Sequence, residues 1–179
     1  NDARPDPDWL GHLLAAAEAP GASEVAAISS KVLFEPQFLE LDIDTPVYRT
    51  AADPRALGVQ ITRVEVNGED VTDEVLWDQA AYGPEGHPPH RFRWTRPAGT
   101  LLIPVPPEAA AGVLPEGLEV AVTARAERAK PLTLRWEGGE SSVELPAPDN
   151  GSAPGPGQGT VHRVNVPGDV GYVDVVNNV

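Results

Sequence analysis

Leu39, Leu41 and Ile43 alternate with Glu40, Asp42 and Asp44. A period of two places successive side chains on opposite faces of an extended chain, so this stretch is expected to be a half-buried strand. Further strands are expected at 58–66, 91–95, 100–105, 118–126, 132–136 and 142–145. Phe92 and Trp94 point one way and Arg91 and Arg93 the other. Leu118, Val120, Val122 and Ala124 face inward against Glu119, Thr123 and Arg125, and Leu132, Leu134 and Trp136 repeat the pattern. Seven or so short strands, separated by turns bearing Pro and Gly with no amphipathic helix between them, predict an all-β fold. The expected architecture is an antiparallel β-sandwich, immunoglobulin-like or jelly roll.

The ends of the chain follow other patterns. Asp6, Pro7 and Asp8 precede an apolar run through Ala19 that stops at Pro20-Gly21, the punctuation of a short helix. Trp9, Leu10, Leu13 and Leu14 share one face of it, and a helix this short needs something to dock on. A second helical or extended stretch, 23–30, leads into the body. At the other end, residues 146–159 are almost all Pro, Gly and small polar residues, and are expected to be a linker or exposed loop. Beyond it Val161, Val164, Val166, Tyr172, Val173 and Val175 mark a β-prone arm with a turn at Pro167-Gly168-Asp169. The expected organisation is a helical arm over 1–30, a sandwich over 31–146, a linker over 147–159 and a C-terminal β arm over 160–179. That arm either returns to its own sheet or pairs with another chain; a reach of about 40 Å for the extended linker permits the second.

Composition narrows the partners. The 13 Lys and Arg stand against 27 Asp and Glu, and a net charge of -14 repels phosphate backbones, so nucleic acid is not expected to bind. With no Cys, disulfides, thiolate metal sites and a cysteine nucleophile are excluded. No apolar run is long enough to insert into a membrane as a helix. Met is absent even at position 1, where Asn stands, which suggests a processed or partial product.

Val64-Glu65-Val66-Asn67-Gly68-Glu69-Asp70-Val71-Thr72 sets Asn-Gly between two extended arms, a strong hairpin signal. With 117–125 as a late strand, this region resembles the cysteine-free immunoglobulin-like modules of bacterial surface proteins and phage virions. The resemblance covers about half the chain. It implies a scaffold and interaction role and brings no catalytic residue with it.

The longest irregular segment expected inside the body runs from Leu76 to His90. Long loops on rigid sheets concentrate binding residues. There Trp77 and Tyr82 would stack on a sugar or a partner side chain, with Asp78 and Gln79 supplying polar contacts; otherwise Trp77 simply caps the sandwich. His87 and His90 flank two prolines without zinc-site spacing, and the acids at Asp42/Asp44 and Asp70/Asp73/Glu74 lack the calcium-loop pattern, so no metal and no cofactor are expected. No Gly-x-Ser-x-Gly elbow or phosphate-cradling loop is present, and the sequence points away from an enzyme. Seven cations, Arg91, Arg93, Arg96, Arg125, Arg128, Lys130 and Arg135, either gather on one face or pair across strands with Glu119, Glu127, Glu137 and Glu140.

These features together predict a non-enzymatic structural or interaction module of an extracellular, cell-surface or virion assembly. Its partners would be protein subunits of the same or a neighbouring type, joined through the terminal arms. A carbohydrate-binding or adhesion module using the 76–90 loop is the alternative, with a glycan as partner.

Overall fold

The computed structural model of the chain describes residues 8–18, 37–77, 80–110, 117–148, 159–168 and 170–174. The expected 23–30 stretch and most of the 147–159 linker lie outside the described residues. The chain divides into two units, Asn1–Leu33 and Phe34–Val179. The first contains helix α1 (Trp9–Glu18), whose Leu10 and Leu14 are both more than half exposed.

The second unit holds eleven strands among the described residues: β1 (Gln37–Asp44), β2 (Gln60–Val66), β3 (Glu69–Asp70), β4 (Ala81–Glu85), β5 (Phe92–Thr95), β6 (Ala98–Val105), β7 (Leu118–Arg125), β8 (Lys130–Trp136), β9 (Gly139–Leu145), β10 (Thr160–Val166) and β11 (Val173–Asp174). One helical turn, α2 (Pro107–Ala110), follows β6. The strands form two antiparallel sheets packed on each other, the all-β sandwich that the alternation predicts. In the first sheet β6 pairs with β1 along its whole length, while β8 and β11 share the other edge of β1 and β9 lies outside β8. The second sheet runs β10-β7-β2-β5-β4, with β3 hairpinned onto β2.

Between the sheets lie the inward positions of the alternating strands. Leu39, Leu41 and Ile43 of β1 meet this interior with Val64 of β2, Val120 and Val122 of β7 and Leu132 and Leu134 of β8, all fully buried. The β2–β3 hairpin turns on Asn67 (φ 50°) and Gly68 (φ 83°), left-handed conformations that Asn and Gly tolerate best and that match the strand twist. Asn67 also exchanges bonds with β7: its N–H donates to the Glu119 carbonyl at 2.8 Å, and its Oδ1 accepts from the Glu119 N–H at 2.9 Å.

The β1–β2 connection is pinned between the sheets by polar contacts. Lys130 of β8 is buried and donates through Nζ to the carbonyls of Gly58 (2.8 Å) and Pro46 (3.0 Å), with the Tyr48 ring 5.5 Å away. Burial pulls its ammonium below the ordinary lysine value. Thr45 Oγ1 donates to the Pro131 carbonyl at 2.9 Å.

One segment departs from the sequence-based expectation, and another takes the first of its two expected fates. The 76–90 segment, expected as a loop, contains β4, which pairs with β5 at the edge of the second sheet. Gly83 and Pro84 disguise it, and a proline is tolerated there because an edge strand leaves one row of N–H groups outside the ladder. The C-terminal arm, for its part, returns to its own sandwich. Thr160–Val166 lies in register against Leu118–Ala124 of β7, burying His162, Val164 and Val166, and β11 then joins β1 in the other sheet. Closing both sheets within one chain buries these side chains without the entropy cost of association.

A candidate binding cleft at a break in the first sheet

Of the residues expected in a binding loop, Trp77 is buried (5% exposed). Its indole N–H donates to the Thr72 carbonyl at 3.3 Å, and the Arg93 guanidinium lies 5.2 Å from its ring centre. It caps the sandwich and presents no open face for a sugar. Tyr82 is half-buried. Its hydroxyl donates to the Ala56 carbonyl at 3.0 Å, and the guanidiniums of Arg55 and Arg96 lie 4.9 and 4.8 Å from its ring centre. Asp78 and Gln79 lie outside the described residues. Of the arm residues, Val164 and Val166 are core, Val161 is 42% exposed on the outer side of β10, and Tyr172 and Val173 are half-buried. Val175 lies outside the described residues.

Arg93, Arg96, Arg125 and Arg128 lie over Trp77, Tyr82, Phe92 and Tyr48 respectively, each within 6 Å of the ring centre. Arg135 of the first sheet instead bridges Asp44 and Glu140, at 3.1 Å to each, and these bonds hold its guanidinium above the ordinary arginine value. Gln60 links Arg125 to Glu127. Aromatic faces were thus the missing partners in the charge pairing that the sequence suggested.

A concave site opens elsewhere, where the edge of β1 changes partners. β11 pairs with Gln37 and Phe38, and β8 with Asp42, Ile43 and Asp44, while Leu39, Glu40 and Leu41 pair with neither strand. Over this three-residue break lies a cleft of about 910 Å³. The β8–β9 hairpin forms one side with Arg135, Trp136, Glu137, Gly139 and Glu140, and Gly171, Tyr172 and Val173 form the other. Glu40 and Asp42 of β1 and Thr100 of β6 complete it. Among the described residues, one hydrogen bond ties the two sides together, from the Gly171 N–H to Glu137 Oε2 at 2.6 Å.

Local sequence explains these placements. Gly138 turns the hairpin with φ 84°, and Gly139 carries no side chain because a Cβ would fall within 2.6 Å of the Trp136 ring. The indole therefore packs on backbone. Four carboxylates line the cleft against one guanidinium, and that guanidinium is already engaged. Asp42 accepts from Thr100 Oγ1 at 2.5 Å, whereas Glu40 is exposed with no partner among the described residues. Two polar atoms of the lining, Trp136 Nε1 and Tyr172 Oη, are buried with no hydrogen-bond partner among the described residues. Burial pushes the Tyr172 phenol above its ordinary value.

Among the described residues no three His, Asp or Glu side chains converge to hold a metal ion. The chain matches no protein-family model, and neither a curated protein nor a solved structure is found similar to it.

Proposed function

We propose that the chain is a non-enzymatic interaction module, a β-sandwich that joins protein partners in an extracellular, cell-surface or virion assembly. The observation that carries this reading is the interrupted edge of β1: three residues that neither β8 nor β11 pairs lie beneath a cleft, where the exposed Glu40 and the two walls offer an incoming segment side-chain contacts. The resemblance of the 64–72 hairpin and the 117–125 strand to immunoglobulin-like surface and virion modules supports it. Two polar groups that burial perturbs serve the fold: Lys130 holds the β1–β2 connection, and His162 is bonded to the Ser141 backbone. No helix among the described residues is long and apolar enough to cross a membrane. With Trp77 buried, the 76–90 segment offers less support to a glycan platform than the cleft offers to a protein partner.

The test is selection of binders from an unbiased library of displayed peptides against the full chain, with a glycan array in parallel. The expected result is peptides whose binding is lost in Thr100→Trp, which fills the cleft, with its melting temperature retained. Glycan hits with no peptide hits, or turnover of a glycoside or ester substrate that Thr100→Trp abolishes, would overturn the reading.

A further inference from the structure

We infer that the cleft at the β1 break takes a short, extended segment of a partner polypeptide bearing lysine or arginine side chains. This rests on the interaction-module reading and specifies the chemistry of the partner. The lining presents four carboxylates against the single guanidinium of Arg135, which Asp44 and Glu140 already engage. Glu40 stands beside the break with an exposed carboxylate and no partner among the described residues. A chain of net charge -14 attracts a cationic segment over distance and repels an anionic one, and a concave low-dielectric site concentrates that field.

Three features favour polypeptide over a free cation or amine. The break leaves Glu40 of β1, exposed between the buried Leu39 and Leu41, without a strand partner on this side, so an extended chain can lie along it. Among the described residues Trp136 Nε1 finds no acceptor and Tyr172 Oη no partner, and a small rotation of either ring toward an incoming carbonyl would supply one. Their rings also suit the alkyl stem and cationic head of a lysine or arginine. A volume of about 910 Å³ is large for a lone ion and fits a few residues.

Isothermal titration of the full chain with blocked peptides tests this, using four lysines or four arginines flanked by serines and analogues carrying four serines or four glutamates instead. The basic peptides are expected to bind, and binding should weaken as sodium chloride rises from about 0.05 to about 0.5 M. The double variant Glu40→Gln/Glu137→Gln should weaken it about three- to tenfold, as two partly solvated charge contacts would. Asp73→Asn/Glu74→Gln removes the same charge from an exposed turn outside the cleft and should change it less than about twofold. Equal weakening by both double variants would overturn the proposal, since general acidity would then explain the binding. Equal affinity for the serine and basic peptides, still lost in Thr100→Trp, would overturn the basic partner while leaving the interaction module standing.

Discussion

Gly58 sits where the β1–β2 connection, β5 and the β5–β6 turn come closest, and Gly58→Ala is the sharpest test of that packing. A Cβ there would lie 2.2 Å from Thr95 Oγ1, 2.7 Å from the Arg96 carbonyl oxygen and 2.8 Å from Thr45 Cγ2. Its backbone φ is not in the left-handed region, so the restriction is one of space alone. None of the three neighbours can yield cheaply. Thr95 is fully buried, its Oγ1 accepts from the Val59 N–H at 3.0 Å, and its backbone is bonded to Gly58 and Val59 at 2.8 Å each. Overpacking costs about 1–3 kcal/mol. Orphaning the buried Val59 N–H costs a further 1–3 kcal/mol or so. Alanine restricts the unfolded chain and returns about 0.4–1 kcal/mol, leaving a net loss of roughly 1–5.5 kcal/mol. With a urea m-value of about 2 kcal/mol/M, the unfolding midpoint should fall by about 0.5–2.8 M. Gly83→Ala is the control: nothing lies within 4 Å of its Cβ, so it should be neutral or raise stability by up to about 1 kcal/mol. A Gly58→Ala midpoint within about 0.3 M of the parent would refute this account of the packing.

Trp94, 7% exposed, stacks 6.0 Å from Tyr48, and Trp94→Ala should cost about 3–5 kcal/mol in urea unfolding; a loss under about 1 kcal/mol would show the ring to be a surface contact. His162 is held below the ordinary histidine value by burial, partly offset by its bond to the Ser141 backbone. The unfolded chain therefore takes up the proton first as pH falls. The stability from neutral His162, complete above about pH 6.5, should be lost between there and the lowered folded value, and melting curves from pH 8 to 5 should be flatter in His162→Gln. Deleting 160–179 removes a strand from each sheet and exposes the edge of β7, so severe destabilisation is expected by thermal melting. A truncated monomer with an unchanged melting temperature would instead mark the tail as an exchangeable arm.

Where one face of a strand is buried and the other wet, the fold was legible from residue type alone. β1 shows it best, with Leu39, Leu41 and Ile43 buried and Glu40, Asp42 and Asp44 exposed as the alternation requires. β7 is legible only in part, because Ala121 and Thr123 on its second face are buried too. That strand lies between β2 and β10, and Ala121 stands in register between Glu65 and Arg163, whose longer side chains flank the small one. Pattern cannot show this, since it depends on which strands become neighbours. β4 escaped for a different reason: Gly83 and Pro84 are turn residues by propensity, and only its edge position makes them compatible with a strand.

The cleft was illegible because no segment contains it. Glu40 and Asp42 were visible as the wet face of β1, and Trp136 as one member of an alternating strand, but neither pattern shows that two partners of β1 stop short of each other. The break arises from register. From Arg135 at Asp42, β8 turns away into its hairpin through Trp136, while the tail leaves β1 at Val173, opposite Phe38. Only six residues, 167–172, separate the end of β10 in one sheet from the start of β11 in the other, so the crossing is short and β11 reaches just two positions of β1. The same crossing brings Gly171 and Tyr172 against the hairpin and ties them there through Glu137. The tail that the sequence marked as a joining element therefore forms one wall of the cleft, while Val164 and Val166 of β10 serve the core of its own sandwich.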